Sequence, residues 1–131
     1  MVDPSPVIFD DLRSRRGCPA LFPDIYDREV ELLPLYQDPE SGEEHYVARY
    51  PKGLKARWHR HSAAHTMIIL EGQMEANGRV VGPLSYCHFP GGQPMHHAPV
   101  GDEDCVFILI FDGPFDVEAV DSPAPSASGP R

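Results

Sequence analysis

Proline and glycine interrupt this chain too often for long helices to form. The 131 residues include fifteen prolines and eleven glycines, which divide the sequence into short segments. Proline removes a backbone donor and glycine favours turns, so the uninterrupted segments have the length of strands. The pair Asn77-Gly78 is the strongest hairpin signal among them. The pattern predicts an all-β protein.

The turn residues set the bounds of the predicted elements. One short helix is expected over residues 10–16. Strands are expected over residues 29–36, 45–50, 54–61, 67–75, 79–81, 84–89, 96–99 and 105–112. The last of these is apolar almost throughout, which predicts a strand buried on both faces.

The length fits a single domain with flanking segments. We expect an N-terminal arm over residues 1–20 and a β domain over residues 21–120. Residues 121–131 are rich in serine, proline and alanine and lack an apolar period. Such a composition cannot bury enough apolar surface to order itself, so a disordered C-terminal tail is predicted.

The acidic composition excludes two classes of partner. The formal net charge is −9, whereas nucleic acids and anionic membranes both attract basic surfaces. The longest apolar segment, residues 106–111, is too short to cross a bilayer. Cys18, Cys87 and Cys105 form no CxxC pair, so neither a disulfide framework nor a thiolate zinc site is indicated. These features favour a cytoplasmic protein.

Three histidines occur at a spacing that suggests a metal site. Side chains alternate along a strand, so His59 and His61 point to the same side. His65 can rejoin them if the strand resumes after the small residues 62–64. A single histidine is more often a surface or hydrogen-bonded core residue. Three at this spacing, followed by the apolar segment 67–70, instead indicate imidazole ligands for a divalent ion.

Two stretches of the sequence resemble the two motifs of the cupin family. The residues that resemble the first motif are, in order, Gly53, His59, His61, His65 and Gly72. The second motif, PxGxxH, is resembled by Pro90-Gly91-Gly92-Gln93-Pro94-Met95-His96-His97. The resemblance covers roughly residues 45–117. It implies a cupin-type jelly-roll β-barrel with one metal ion held inside by histidines, commonly as a homodimer.

The sequence departs from the cupin motifs at two positions. Most cupins have glutamate where this chain has His65, so the resemblance implies a four-histidine site with a neutral ligand set. Strict spacing places Met95 at the ligand position of the second motif. Face parity then favours His97, whereas a bulge at residues 91–92 would bring in His96 instead. The predicted ligands are His59, His61, His65 and His97, with His96 as the alternative.

Three further polar residues are candidates for catalysis. Arg57 shares parity with His59, so it is expected to face the interior and anchor substrate; alternatively it is a surface arginine paired with an acidic side chain. Tyr86 and His88 share one face of a strand. If that face points inward, Tyr86 can donate a hydrogen bond to substrate and His88 can take a proton. If it points outward, both are ordinary surface residues.

Three functions remain open. The first is a metal-dependent dioxygenase that cleaves a carbon–carbon bond in an enolisable diketone or aromatic ketone, with Fe(II) or Mn(II) favoured over Zn, Ni, Cu or Co. The second is a redox-neutral cyclase, isomerase or lyase that resembles polyketide cyclases. The third is a non-catalytic module that binds metal or a small ligand. For an enzyme, we expect Met67, Ile69 and Phe107 to form an apolar wall that selects an apolar or aromatic substrate with chelating oxygens.

Overall fold

Strands make up almost all of the regular structure. The computed structural model describes residues 5–121. The strands are β1 (Cys18–Ala20), β2 (Val30–Gln37), β3 (Glu44–Tyr50), β4 (His59–Arg60), β5 (His65–Glu71), β6 (Gln73–Ala76), β7 (Arg79–Val81), β8 (Tyr86–Phe89), β9 (His97–Val100), β10 (Cys105–Phe111) and β11 (Glu118–Ala119). Within the described residues, the helical structure is one 3₁₀ turn at Leu12–Ser14, shorter than the helix predicted over 10–16. The all-β prediction is confirmed.

The strands form one large sheet and two small ones. The large sheet has the order β1-β2-β3-β10-β5-β8, and every pair in it is antiparallel. A three-stranded sheet has the order β7-β6-β9, and β4 pairs with β11. The apolar strand β10 lies between β3 and β5. It was expected to be buried on both faces, but Ile108 and Ile110 on one face are only half-buried.

Two predicted strands differ from the observed ones. The strand expected over 54–61 is reduced to β4. The first half of that segment forms no ladder, and its contact with the segment around Tyr26 is a single bridge between Tyr26 and Ala56. The strand expected over 67–75 is broken at Gly72, where φ is +80° and a Cβ would lie 2.3 Å from the carbonyl oxygen of Asp104. Only glycine combines that backbone angle with such a close approach. The break lets β5 and β6 enter different sheets.

The large sheet and the three-stranded sheet contribute to one core. Phe107, Met67, Ile69 and Met74 are each 0% exposed. Burying a side chain of this size stabilises the fold by about 1.5–3 kcal/mol relative to leaving it in water. Met67 and Ile69 alternate with half-buried residues along β5, the period expected for a strand with one face on the core. The same face of β5 begins with His65.

The predicted arm and tail are only partly described. Residues 18–20 of the arm pair with β2. Apart from Asp121, the tail predicted to be disordered over 121–131 lies outside the described residues. The domain bounds therefore stay predictions. None of the helical structure in residues 5–121 is long and apolar enough to cross a membrane.

Candidate metal centre

Four histidine side chains meet inside the fold. His59, His61, His65 and His97 are 0%, 7%, 1% and 2% exposed. The ring centre of His61 lies 5.1 Å from that of His59 and 4.8 Å from that of His65. The ring centre of His97 lies 5.5 Å from that of His59 and 6.4 Å from that of His65. The structure thus brings together the four histidines predicted from the sequence.

Backbone pairing selects His97 over His96 for this cluster. The amide of His59 donates to the carbonyl of Met95 at 3.0 Å, and the amide of Met95 donates back at 2.7 Å. Residues opposite one another in such a pair point to the same side, and so does the residue two positions further on. His97 therefore joins His59. His96 points away, with Nδ1 2.6 Å from Glu75 Oε1 and Nε2 3.1 Å from the Ala56 carbonyl oxygen.

Backbone carbonyls hold two of the rings. His59 Nδ1 lies 2.8 Å from the carbonyl oxygen of Arg57, and His61 Nδ1 lies 2.5 Å from that of Asp116. A carbonyl oxygen has no hydrogen, so each Nδ1 must carry the proton and donate it. Nε2 of both rings is left with its lone pair. A metal-binding histidine is usually held in this way.

The Asp116 carboxylate anchors the segment that holds His61. It accepts hydrogen bonds from the Ser62 amide at 2.7 Å and the Ser62 hydroxyl at 2.5 Å. These bonds, led by the hydroxyl of Ser62, lower the pKa of Asp116. They tie residues 62–64, which we call the histidine turn, to the chain before β11. The carboxylate therefore positions the ring of His61 indirectly.

Several imidazole nitrogens are buried without a hydrogen-bond partner. They are His59 Nε2, His65 Nε2 and His97 Nδ1. Burial lowers the pKa of His59 to about 4 and that of His65 to about 3, and it also lowers the pKa values of His61 and His97. The rings are therefore neutral at pH 7. A buried polar atom without a partner costs free energy, and a lone pair directed at an ion removes that cost.

The spacing of the rings fits one shared ion. Two imidazoles that bind one ion at about 2.0–2.1 Å have ring centres about 4.5 Å apart at a right angle and about 5.2 Å apart at the tetrahedral angle. Of the four ring spacings given above, three are close to these values, and the spacing of His65 and His97, 6.4 Å, is longer. However, among residues 5–121, no group of three or more His, Cys, Asp or Glu side chains is already arranged to hold a metal ion. The four rings are thus close together but are not already in a ligating arrangement.

An apolar cavity of about 230 Å³ opens beside the histidines. His61, His65 and His97 form part of its wall. The remaining lining residues are apolar or aromatic, namely Phe22, Ile25, Tyr26, Val30, Leu32, Tyr46, Tyr50, Leu109, Phe111, Phe115 and Val117. Among the described residues, no Asp, Glu, Lys or Arg lines it. Such a cavity favours a neutral, largely apolar ligand.

Two tyrosines line the cavity beside the histidines. The hydroxyl oxygens of Tyr26 and Tyr50 are 2.7 Å apart. The Tyr50 ring stacks on His97 with ring centres 5.4 Å apart, and the Tyr26 ring meets His59 edge-on at 6.0 Å. Burial raises the pKa values of both phenols, so both stay protonated at neutral pH.

The structure does not bring the three predicted catalytic residues to the cavity. Arg57 is exposed, with Nη1 3.3 Å from the Asp24 carbonyl oxygen. Its expected interior position is wrong, because β4 begins only at His59 and the alternation of a strand does not extend back to residue 57. Tyr86 is 68% exposed and His88 is also exposed, so their shared face points outward.

The cavity wall also differs from the prediction. Met67, Ile69 and Phe107 pack in the core and do not line the cavity. Phe107 contacts the rings of Tyr50 and His97. Tyr26 and Tyr50 are not among the site residues predicted from the sequence. On β3, Tyr50 shares a period-two face with the cavity residue Tyr46, a signal that could have found it. Tyr26 lies outside the named strands, so no strand pattern identifies it.

Comparison with known proteins shows where this fold occurs. Residues 21–116 match the family model described as ChrR Cupin-like domain. Among curated proteins, none matches the chain by sequence. The match to the family model covers most of the described residues, including all four histidines.

Solved structures of the same fold are distant in sequence. A cupin-like protein from Thermotoga maritima superposes with a TM-score of 0.71 and 22% identity, covering 86% of this chain and 90% of that one. An acetylacetone dioxygenase from Acinetobacter johnsonii gives 0.61 and 17%, covering 85% and 75%. The polyketide cyclase RemF from Streptomyces resistomycificus gives 0.61 and 19%, covering 70% of each chain. These likenesses confirm the predicted cupin-type jelly roll.

Proposed function

The chain belongs to the family of ChrR cupin-like domains, and on that premise we propose that it is a metal-dependent dioxygenase. Its substrate is an enolisable diketone or aromatic ketone, in which it cleaves a carbon–carbon bond. The observation that carries the proposal is the set of four buried, neutral histidines beside an apolar cavity. An acetylacetone dioxygenase and a polyketide cyclase with the same fold support an enzyme of this general kind.

The proposed ligands are His59, His61, His65 and His97. All four are neutral nitrogen donors, a set that suits iron, manganese, zinc and the other first-row divalent ions. A bound ion supplies Lewis acidity to the oxygens of the substrate and, if it is Fe(II) or Mn(II), redox chemistry toward dioxygen. A bound ion would keep its full positive charge, because the proposed ligand set contains no carboxylate.

The protein supplies orientation and a dry environment. The carbonyl oxygens of Arg57 and Asp116 hold the proton of each ring on Nδ1, in His59 and His61 respectively. Nε2 of both rings is therefore free to bind the metal. His65 is stacked between Phe89 and Phe111, with ring centres 5.0 Å away on each side. Phe115 contacts His61 and Phe111 at the exposed side of the cavity. These aromatic contacts restrict the rings and exclude water.

The cavity wall favours a substrate that carries an enol. No carboxylate or amine base lines the cavity among the described residues, and His88 lies on the outer surface. We therefore expect the substrate to enter already as the neutral enol, so that no base in the described cavity wall is needed to form it. Cleavage of a 1,3-diketone by one dioxygen gives a carboxylic acid and a 2-oxoaldehyde, which together contain every atom of both reactants.

Metal analysis combined with oxygen uptake tests the proposal. Protein purified without chelator should contain about one iron or manganese ion per chain and consume dioxygen when a 1,3-diketone is added. His61→Ala should lose both properties. His88→Ala serves as the matched control, because this histidine is exposed and does not line the cavity. Normal metal content in His61→Ala would contradict the ligand assignment.

A redox-neutral reaction is the second candidate. A neutral ligand set leaves the ion strongly electron-withdrawing, which also suits carbonyl activation for cyclisation, isomerisation or elimination. Zinc in the purified protein, with no oxygen uptake, would support this candidate over the dioxygenase. The homodimer and the cytoplasmic location stay predictions.

A further inference from the structure

The Tyr26–Tyr50 pair contains a hydroxyl hydrogen that the protein does not use. Each phenol has one hydrogen to donate, and a single hydrogen bond of 2.7 Å joins the two oxygens. Whichever tyrosine donates, the other keeps its own hydrogen. No third group among the described residues bonds to either oxygen. One donor per pair is therefore left over inside the protein.

The position of the pair directs this donor toward a ligand. Both tyrosines line the apolar cavity and contact histidines of the cluster, Tyr26 at His59 and Tyr50 at His97. Tyr46, the third tyrosine of the cavity wall, donates to Glu44 Oε1 at 2.6 Å, so its hydrogen is already used. The pair is thus the source of an unused hydroxyl donor in the described wall of the cavity.

We propose that the Tyr26–Tyr50 pair donates a hydrogen bond to a carbonyl or enol oxygen of a neutral substrate and selects for that oxygen. The proposal rests on the proposed function to the extent that the substrate occupies the same cavity. It replaces the recognition by Arg57 expected from the sequence. In the metal-free protein, a carboxylate placed against the pair would meet no opposite charge in the described wall, which makes a neutral acceptor the better ligand there.

Two probes of similar shape test the selection. Acetophenone has a carbonyl oxygen and ethylbenzene has none, and the ratio of their dissociation constants isolates the contribution of that oxygen. Titration calorimetry or ligand-observed NMR on metal-depleted protein measures the ratio without any contribution from the metal. We expect Tyr26→Phe/Tyr50→Phe to lower the preference for acetophenone about 2- to 12-fold, as the loss of one hydrogen bond predicts.

Three variants sharpen the result. Each single variant, Tyr26→Phe or Tyr50→Phe, leaves one phenol whose hydrogen is free, so each should retain most of the preference. Tyr46→Phe alters the same wall without removing an unused donor, and its ratio should equal that of the unmodified protein. An unchanged ratio in the double variant overturns the proposal, as does an equal loss in Tyr46→Phe.

An infrared measurement needs no variant. Acetophenone labelled with ¹³C at the carbonyl should show its stretching band at lower frequency in the metal-depleted protein than in hexane, because the oxygen accepts a hydrogen bond. A band at the hexane frequency overturns the proposal even if the double variant does not fold. Failure of the proposed function is seen separately, as missing metal and missing oxygen uptake, and leaves these binding results standing.

Discussion

Replacing His65 with phenylalanine should stabilise the metal-free protein. His65 is 1% exposed, and its Nε2 has no hydrogen-bond partner. Its strand β5 runs between β8 and β10, which places Phe89 and Phe111 directly opposite it and explains the stacking on both sides. A phenylalanine ring keeps these stacks and removes the unpaired nitrogen. The neighbouring cavity of about 230 Å³ leaves room for the slightly larger ring.

The expected magnitude follows from the cost of an unpaired buried group, about 1–3 kcal/mol. A gain of 1 kcal/mol raises the melting temperature of a domain of this size by about 4 °C. Added metal should reverse the order of stability of the variant and the original protein. An ion at one hundred times its dissociation constant stabilises the original protein by about 2.7 kcal/mol, and a variant that lacks a ligand gains much less. The two proteins should therefore exchange rank when metal is added.

Thermal unfolding after dialysis against EDTA, with and without added Mn(II), measures both effects. His88→Phe is the matched control, since its exposed position predicts no exchange of rank. If metal-free His65→Phe proves less stable than the original protein, His65 has a structural partner and the reasoning is refuted. Equal stabilisation of both proteins by metal would remove His65 from the proposed ligands.

Three further predictions concern the surroundings of the site. Gly91→Ala places a Cβ 2.3 Å from a carbonyl oxygen of the histidine turn. Calorimetry should therefore show a loss of about 1–3 kcal/mol in the free energy of unfolding, together with weaker metal binding. Gly82→Ala, with nothing within 4 Å of its Cβ, should be nearly neutral. Asp116→Ala removes both side-chain hydrogen bonds to the histidine turn, and metal titration should show about tenfold weaker binding; unchanged affinity contradicts the positioning role. The hydrogen bond from Arg16 lowers the pKa of Glu31 to about 2 from 4.5, so the stabilisation is present above pH 4.5 and is lost as the pH falls toward 2. In urea unfolding, Glu31→Gln should be about 1 kcal/mol less stable at pH 7, with the difference vanishing near pH 2, and a difference independent of pH contradicts the assignment.

The sequence predicts the cluster of four histidines because side chains alternate between two faces along a regular strand. His97 is found by parity because Met95 pairs directly with His59. The same rule fails for Arg57, whose amide donates to the carbonyl of Ile25 rather than into a strand ladder. Alternation predicts a side-chain direction only where the backbone continues as a regular strand.

Other features depend on tertiary structure that no local pattern specifies. Tyr86 and His88 do share a face, yet the sequence does not show that the core lies on the face of Phe89 instead. The hydrogen bond from His61 to the Asp116 carbonyl joins residues that are far apart in the chain. Tyr26 reaches the cavity from a connecting segment. These contacts are fixed by the closing of the sheets on one another.

The position of β10 and β11 also sets the order in which the site can assemble. β10 completes the sheet between β3 and β5, and β11 pairs with β4 beside His59. Pairings between distant segments form slowly, because closing the long intervening loop costs entropy before the new contacts stabilise it. During synthesis the earlier strands emerge before their partners exist, and the carbonyl of Asp116 reaches His61 near the end. Metal capture is therefore expected as a late event in folding, after the C-terminal strands have docked.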